Sequence, residues 1–521
     1  MKVVSSRQMR RIEKIAIEEL GIPSILLMEN AAIRLAEHCM RALAGHKNPK
    51  MMIISGPGSN GGDGFALARL MHIKGVDTGV IFVGDMGSVK DDAATYLEII
   101  RKLGVPIEPI PLNDNLLDVP YTIETCDLIV DAMLGTGLDR NVEGSFEYMV
   151  EMINNYAKHV ISIDIPSGVH SDTGQIMGCA VRANETVTLG YPKIGLFVHP
   201  GAAYAGEIRM EDISLPAMLI NEVNSEAEIL TDQEAGQLMP KRGQRSNKSN
   251  FGRVVVFAGS NEMPGAAALA SSAALAVGGG LVCACVIPYV ATVVHYTQRE
   301  IVTRIVSEKN GMYSRKSLET IMDEIERASV IIVGPGIGRN PSVTEFVHEL
   351  ISVSTAPLVL DADALYAVAE NVNVLKTLKA PCVITPHPGE MSRLTGLTIP
   401  DILENTINVT TEFSKEFNVV TLLKDARTIV ANPDNYFYIN TTGNNALSKA
   451  GTGDVLTGMI AGFAAQGSDL FTASILGAFI HGKAGDMASA GKSPYGVMAT
   501  DVIDNTPYII NECCKAQERL I

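Results

Sequence analysis

The sequence predicts two α/β domains, each built on a parallel sheet with helices on both faces. Three observations carry that prediction. The chain has 521 residues, more than one hydrophobic core organises. Short apolar runs that end in Gly, Asp or Ser alternate with segments of helical periodicity, the order that yields parallel strands joined by crossover helices. The alternation then lapses over a polar stretch, INEVNSEAEILTDQEAGQLMPKRGQRSNKSN, and restarts beyond it. A boundary near Asn221 follows, giving domains of residues 1–220 and 221–521. The halves share no spaced motif, so nothing points to internal duplication.

Taken in order, the N-terminal MKVVSSRQMRRIEKIAIEEL is a charged amphipathic pattern without the apolar centre of a signal peptide. MMIISG, TGVIFVG, DLIVDAM and HVISIDIPS read as the strands of the first half, with helices over residues 64–74 and 91–103 between them. In the second half GRVVVFAGS, SVIIVGPGIG, PLVLDADAL, PCVITPHPGE, VVTLLKD and RTIVANP read as strands. Residues 263–298 contain no Asp, Glu, Lys or Arg, and a spanning helix needs about 20 continuous apolar residues. The run Gly278, Gly279, Gly280 divides that segment into a small-residue helix, GAAALASSAALAV, and a core strand, LVCACVI, so the segment is core and the chain has no predicted membrane span.

Composition narrows the function classes. A hydrophobic content of 46% with 19% charged residues fits a well-packed protein without disorder. A formal net charge of -16 argues against nucleic-acid or acidic-membrane partners, which need basic patches. It leaves nucleotide binding open, because backbone amides hold phosphates without Lys or Arg. Eight cysteines without a C-x-x-C pair read as thiols of a reducing, cytoplasmic compartment rather than as disulfides or zinc ligands.

Two glycine-rich turns stand out. In GPGSNGGDGFALARL, Asn60, Gly61, Gly62, Asp63 and Gly64 lie between a strand and a helix, where glycines admit a close phosphate and the helix N-terminus supplies donors. An ordinary tight βα turn has the same look, and the spacing is not that of the dinucleotide fingerprint. Further strand ends shift the balance: DAMLGTGLDR places Asp131 before Gly135, Thr136 and Gly137, and SIDIPSGVHSDTG places Asp164 and Ser167 at another. Aspartates at strand ends also cap loops, yet these fall on the side where such a sheet binds ligands.

G-x-G-x-N-G-G-D-G, D-A-x-x-G-T-G and I-D-I-P-S-G, in that order, resemble the N-terminal domain of the bifunctional NAD(P)H-hydrate repair enzymes, as do GIPSILLMENAA and TVTLGYPKIGL. The resemblance implies a Rossmann-like three-layer sandwich that epimerises hydrated NADH or NADPH. It further implies that Asn60, Asp131 and Ser167 hold K⁺, and that Asp164 faces the reactive ring. Ser59, Asn60, Gly61, Gly62, Asp63, Gly135, Thr136, Gly137, Leu138, Asp139, Arg140 and Asn141 would cradle the substrate. A hard cation suits such oxygens, and an acid–base group must reach the inverting carbon. Ser59 stands where that family usually has Asn.

The second turn, in TTGNNALSKAGTGDVLTGMIAGF, sets Gly451, Thr452, Gly453 and Asp454 at the opening of a helix, a place suited to a phosphate. Asp454 could balance the helix dipole or deprotonate a hydroxyl that attacks phosphorus. The motif resembles the ribokinase-like superfamily. With GPGIG, DADAL, TPHPGE and LLKDART in this order, the half resembles the dehydratase domain of the same repair enzymes. By that resemblance Lys424, Asp425, Ala426, Arg427, Thr428 and Gly453 contact the nucleotide, while Ala266, Gly336, His387 and Asp454 contact the hydrated dinucleotide. ADP, with Mg²⁺, would phosphorylate the C6 hydroxyl of the S epimer, and loss of phosphate would restore the reduced nicotinamide. The motifs leave ADP and ATP open; the fused layout resembles the ADP-using prokaryotic enzymes, which implies a homo-oligomer. Asn247 and Ser249 replace the family's usual His and Gly, and Asp425 its usual Gly. The rival readings are a small-alcohol kinase in the second half and a binding module in the first.

Overall fold

The computed structural model describes residues 1–110, 119–223 and 225–518. The chain divides into two compact units, Lys2–Ala227 and Glu228–Ile521, the latter joined by Met1. The division falls a little beyond Asn221. Leu219 is buried in the first unit's core, and the Ser225 hydroxyl donates to the Val3 carbonyl at 2.6 Å, so the start of the polar stretch stays with the first unit.

The first unit has a seven-stranded sheet. Its strands are β1 (Lys50–Ser55), β2 (Asp77–Val83), β3 (Ile107–Ile110), β4 (Leu128–Ala132), β5 (Val160–Ile163), β6 (Glu185–Leu189) and β7 (Glu207–Glu211). They lie in the order β3-β2-β1-β4-β5-β6-β7, every pair parallel. Alternation along β1 builds the layers. Met51 and Ile53 enter one apolar cluster, Met52 and Ile54 the other, because successive side chains point to opposite faces. The chain leaves β1 for β2 and β3 and returns to β4 on the other side of β1. That reversal opens a crevice at the carboxyl ends of β1 and β4.

The helix after β1 is Ser59–Ile73, earlier in starting than the sequence predicts. Asn60, Gly61, Gly62 and Asp63 therefore form its first turn instead of a loop before it. Gly61 permits this, since a Cβ there would stand 1.9 Å from the Gly56 carbonyl oxygen.

In the second unit the strands are β8 (Arg253–Phe257), β9 (Leu281–Val286), β10 (Val302–Ile305), β11 (Val330–Val333), β12 (Leu358–Leu360), β13 (Cys382–Ile384), β14 (Val420–Leu423), β15 (Ile429–Ala431) and β16 (Phe437–Ile439). Their order is β16-β15-β14-β13-β12-β11-β8-β9-β10. Pairing is parallel from β10 to β14. It turns antiparallel at β15 and β16, a hairpin added at one edge of the predicted parallel sheet. The reason is local: Lys424, Asp425, Ala426, Arg427 and Thr428 are a short hairpin connection, too short for a crossover. The topology repeats the reversal of the first unit, here between β8 and β11.

GAAALASSAALAV forms the helix Gly265–Ala276 and LVCACVI the buried strand β9. Among the described residues no helix is long and apolar enough to cross a membrane, and the cysteines among them form no disulfide.

Candidate active sites

The crevice of the first unit is a cleft of about 690 Å³. Its lining includes Ser59, Asn60, Asp63, Gly135, Thr136, Gly137, Leu138, Asp139, Arg140 and Asp164. Gly61, Gly62 and Asn141 lie outside the lining: the two glycines are buried in the helix turn, and Asn141 is exposed.

Beneath the cleft Asp131 ends β4, fully buried. Its Oδ2 accepts from the Ser162 hydroxyl at 2.9 Å and the Ser167 amide at 2.8 Å, and its Oδ1 from the Ser167 hydroxyl at 2.5 Å. The Ser167 hydroxyl also accepts from the Leu134 amide at 2.8 Å, and Asn60 Nδ2 donates to the Leu134 carbonyl at 3.1 Å. Asn60 and Ser167 thus meet at the Leu134 peptide, and Asp131 joins them through Ser167. Burial pushes the Asp131 carboxyl above the ordinary range, and the Ser167 and Ser162 hydrogen bonds pull it back. A carboxylate, an amide, a hydroxyl and a carbonyl are hard oxygen donors that fit an alkali cation, and a cation would offset the buried charge.

Asp164 follows β5 with φ +66, a conformation that Asp tolerates better than most residues. Its Oδ1 collects the Leu189 amide at 3.0 Å, the Thr188 hydroxyl at 3.3 Å and the ammonium of Lys193. Lys193 is 1% exposed and also donates to the Leu189 carbonyl at 2.8 Å. Sequence reasoning missed this lysine. The available signal was one cation in an otherwise apolar stretch, GYPKIGL, after a strand. Glu13, from the N-terminal helix, joins the same cleft. Burial raises the carboxyls of Glu13 and Asp63, the nearby Asp164 charge raises them further, and Lys193 opposes the rise.

The second site gathers the loops after β11, β12, β13 and β14 and the helix Thr452–Ala465. At its base the Asp361 carboxylate, 1% exposed, accepts from Lys424 Nζ, the Thr385 hydroxyl and the Thr457 hydroxyl, each at 2.7 Å. Burial disfavours the charged lysine, but Asp361 and Glu390 more than offset that and raise its pKa. Gly453 abuts this pair: a Cβ there would lie 3.7 Å from Lys424 Nζ and 4.0 Å from Asp361 Oδ2. Asp454, next in the helix, has its carboxyl pushed up to about 7 by burial and the Asp361 charge. Gly336 (φ +63) packs on Ala266, with a hypothetical Cβ 3.0 Å from that residue's own. The structure therefore brings Ala266 to Gly336, and Lys424 to Gly453.

His387 caps the helix Pro388–Thr395. Its Nδ1 accepts from the Gly389 amide at 3.0 Å, and its own amide donates to Glu390 at 2.9 Å. Partial burial and the Lys424 charge hold its pKa below the usual value. Buried Glu390 was not among the expected site residues; burial and the Asp361 charge push it to about 7, against the opposing Lys424 charge.

The hairpin residues separate into two groups. Asp425 and Ala426 are exposed. Arg427 turns inward, and its Nη1 donates to the Thr441 carbonyl at 2.6 Å. Thr428 donates to the Asp425 carbonyl at 3.4 Å. Arg427 is thereby committed to the chain, and burial lowers its pKa.

Comparison with known proteins agrees with this division. The sequence model of NAD(P)H-hydrate dehydratase matches residues 254–508, and that of the YjeF-related protein N-terminus matches residues 24–195. A bifunctional NAD(P)H-hydrate repair enzyme of Moorella thermoacetica is 37% identical over 523 residues, spanning 100% of this chain and 99% of that one. One from Thermofilum pendens is 33% identical, with coverages of 97% and 96%. Among solved structures, a ribokinase-like superfamily protein of Enterococcus faecalis matches with a TM-score of 0.50 and 24% identity, over 56% of this chain and 97% of that one. The last likeness bears on the fold of the second unit alone. Through its full-length relatives and both matched families, the chain belongs to the bifunctional NAD(P)H-hydrate repair enzymes.

Proposed function

We propose that the cleft of the first unit epimerises R and S hydrated NADH or NADPH, and that the second site dehydrates the S epimer while ADP becomes AMP and phosphate. The supporting observation is a buried lysine–aspartate pair at the base of each site, turned opposite ways. Asp164 and Lys193 both line the first cleft, with Asp164 the more exposed; in the second site Lys424 is the more exposed and Asp361 is buried.

In the first cleft, Asp164 is the acid–base group at C6 and Lys193 fixes its Oδ1. Glycines 135 and 137, the helix Ser59–Ile73 and its first-turn amides hold the dinucleotide. K⁺, held by Asn60, Asp131 and Ser167, would supply charge neutralisation beneath the loop that carries Leu134.

At the second site Asp454 accepts the proton of the C6 hydroxyl as its oxygen attacks the β-phosphorus of ADP and AMP leaves. Phosphate then departs from C6 with the bonding electrons while a proton leaves C5, which restores the double bond of the reduced nicotinamide. Lys424 and the first amides of the helix Thr452–Ala465 meet the phosphoryl oxygens. Glu390 is a buried oxygen donor suited to Mg²⁺, which would supply neutralisation of the phosphate charge. Ala266, Gly336 and His387 face the dinucleotide.

The test is to give the purified chain an epimeric mixture of hydrated NADH with K⁺, Mg²⁺ and ADP, and to follow near-ultraviolet absorbance. Full recovery of the reduced nicotinamide with AMP and phosphate is expected. Arrest at the S fraction would remove the epimerase assignment. A stable phosphorylated product would replace the dehydratase with a kinase.

A further inference from the structure

One sequence motif lies outside both sites as described. His481, Gly482, Gly485, Asp486 and Ser489 fall on one face of the helix Leu470–Lys492, at helical spacing. That face carries the stretch that runs from Thr441 into the glycine turn at Gly451. His481, buried, contacts the Thr452 carbonyl through Nε2 at 2.9 Å; the acceptor is a carbonyl, so this nitrogen bears the proton. Asp486 accepts from the Gly443 amide at 2.9 Å and from Asn444 Nδ2 at 2.6 Å. Asn444 Nδ2 also donates to the Ser489 hydroxyl at 2.9 Å.

Between these anchors the two backbones nearly touch. A Cβ on Gly482 would stand 2.1 Å from the Thr442 hydroxyl, and one on Gly485 2.7 Å from a Leu447 methyl. Gly443 (φ +93) in turn would bring a Cβ within 3.2 Å of the Gly482 Cα. The Thr442 hydroxyl donates to the Phe479 carbonyl at 2.9 Å, and Arg427 holds the preceding carbonyl of Thr441. Burial, the dominant influence, depresses the His481 pKa to about 4, which keeps the ring neutral and its donor fixed.

We propose that His481 and Asp486, with Gly482 and Gly485 between them, are positioning residues that clamp the stretch leading into the phosphate turn and so set Gly453 and Asp454 for phosphoryl transfer. The proposal rests on the reading of that turn as the phosphate site. It assigns a transition-state role to residues outside the proposed nucleotide and dinucleotide contacts. A turn displaced by about 1 Å loses on the order of 100-fold in rate without losing the binding surface.

The experiment uses the full chain, S-hydrated NADH, ADP and Mg²⁺, with epimerisation by the first unit as an internal control. His481→Ala should lower kcat for dehydration about 10- to 100-fold with little change in KM for the hydrated dinucleotide. His481→Gln, which returns an N–H near the Nε2 position, should recover most of that loss. Asp486→Asn should lower kcat less, and Gly482→Ala most. Equal losses in the Ala and Gln variants, or wild-type kcat in both His481→Ala and Gly482→Ala, would overturn the clamp. Asp454→Asn separates the premise: full dehydration by that variant would remove the phosphate-site reading itself.

Discussion

The two sites solve one problem with the same parts in reverse. Each lies where a parallel sheet changes direction, and each has a lysine–aspartate pair at its base. In the first, Lys193 is 1% exposed and Asp164 16%; in the second, Lys424 is 21% exposed and Asp361 1%. The more accessible partner is acidic in one and basic in the other. A carboxylate facing an uncharged ring can move a proton, whereas an ammonium facing a phosphate neutralises charge. The buried partner keeps the pair whole, since an isolated charge in the interior is costly.

That inversion can be broken one member at a time. The largest effects belong to the proposed acid–base groups. Asp164→Asn should lower epimerisation by roughly 10²- to 10⁴-fold and spare dehydration of S substrate, while Asp454→Asn should do the reverse; separate assays of each activity decide. Smaller losses belong to the lysines. Lys193→Met should cut kcat for epimerisation, whereas Lys424→Met should raise KM for ADP by roughly 10-fold or more, a charged hydrogen bond being worth about 1.5–3 kcal/mol. If both lysine variants damaged the same kinetic constant, the inversion would be without functional meaning.

A pH profile sharpens the contrast. Asp454 carries a proton below about 7, so kcat/KM for dehydration should rise with pH through that region, and a flat profile from pH 5 to about 8 would contradict its role as base. The clamp gives a smaller signal in stability. The ordinary 6.5 of a histidine falls to about 4 at His481. A depressed folded pKa means that stability is intact above 6.5 and is lost as pH falls toward 4. The loss is roughly 3 kcal/mol at most. Calorimetry of the second unit's transition in wild type and His481→Gln should show the acid sensitivity diminished in the variant.

The smallest expected effect is that of the cation. Exchange of K⁺ for tetramethylammonium should slow epimerisation, and Asp131→Asn should remove the difference.

Much of the fold was legible because strand ends carry Gly, Asp and Ser where backbones must turn. Asp131 and Asp164 were found that way, each at the end of an apolar run, and Asp454 in the glycine-rich turn that opens a helix. Lys193 was not, since a lysine within GYPKIGL has no local sign of burial. Nor was the direction of Arg427: the sequence places it beside Lys424, yet its guanidinium serves the Thr441 carbonyl. The antiparallel pairing at β15 was not legible, because a short connection reads alike whether it leads on or folds back.

The sequence by itself determined two α/β units and most of their central strands, because periodicity and turn residues are local properties. Only the tertiary structure decided which member of each lysine–aspartate pair is the more accessible. It alone joined His481 to Thr452, 29 residues earlier, and Asp486 to Asn444, 42 residues earlier. Burial and hydrogen-bond partnership are settled by residues distant in the chain, and no local pattern records them.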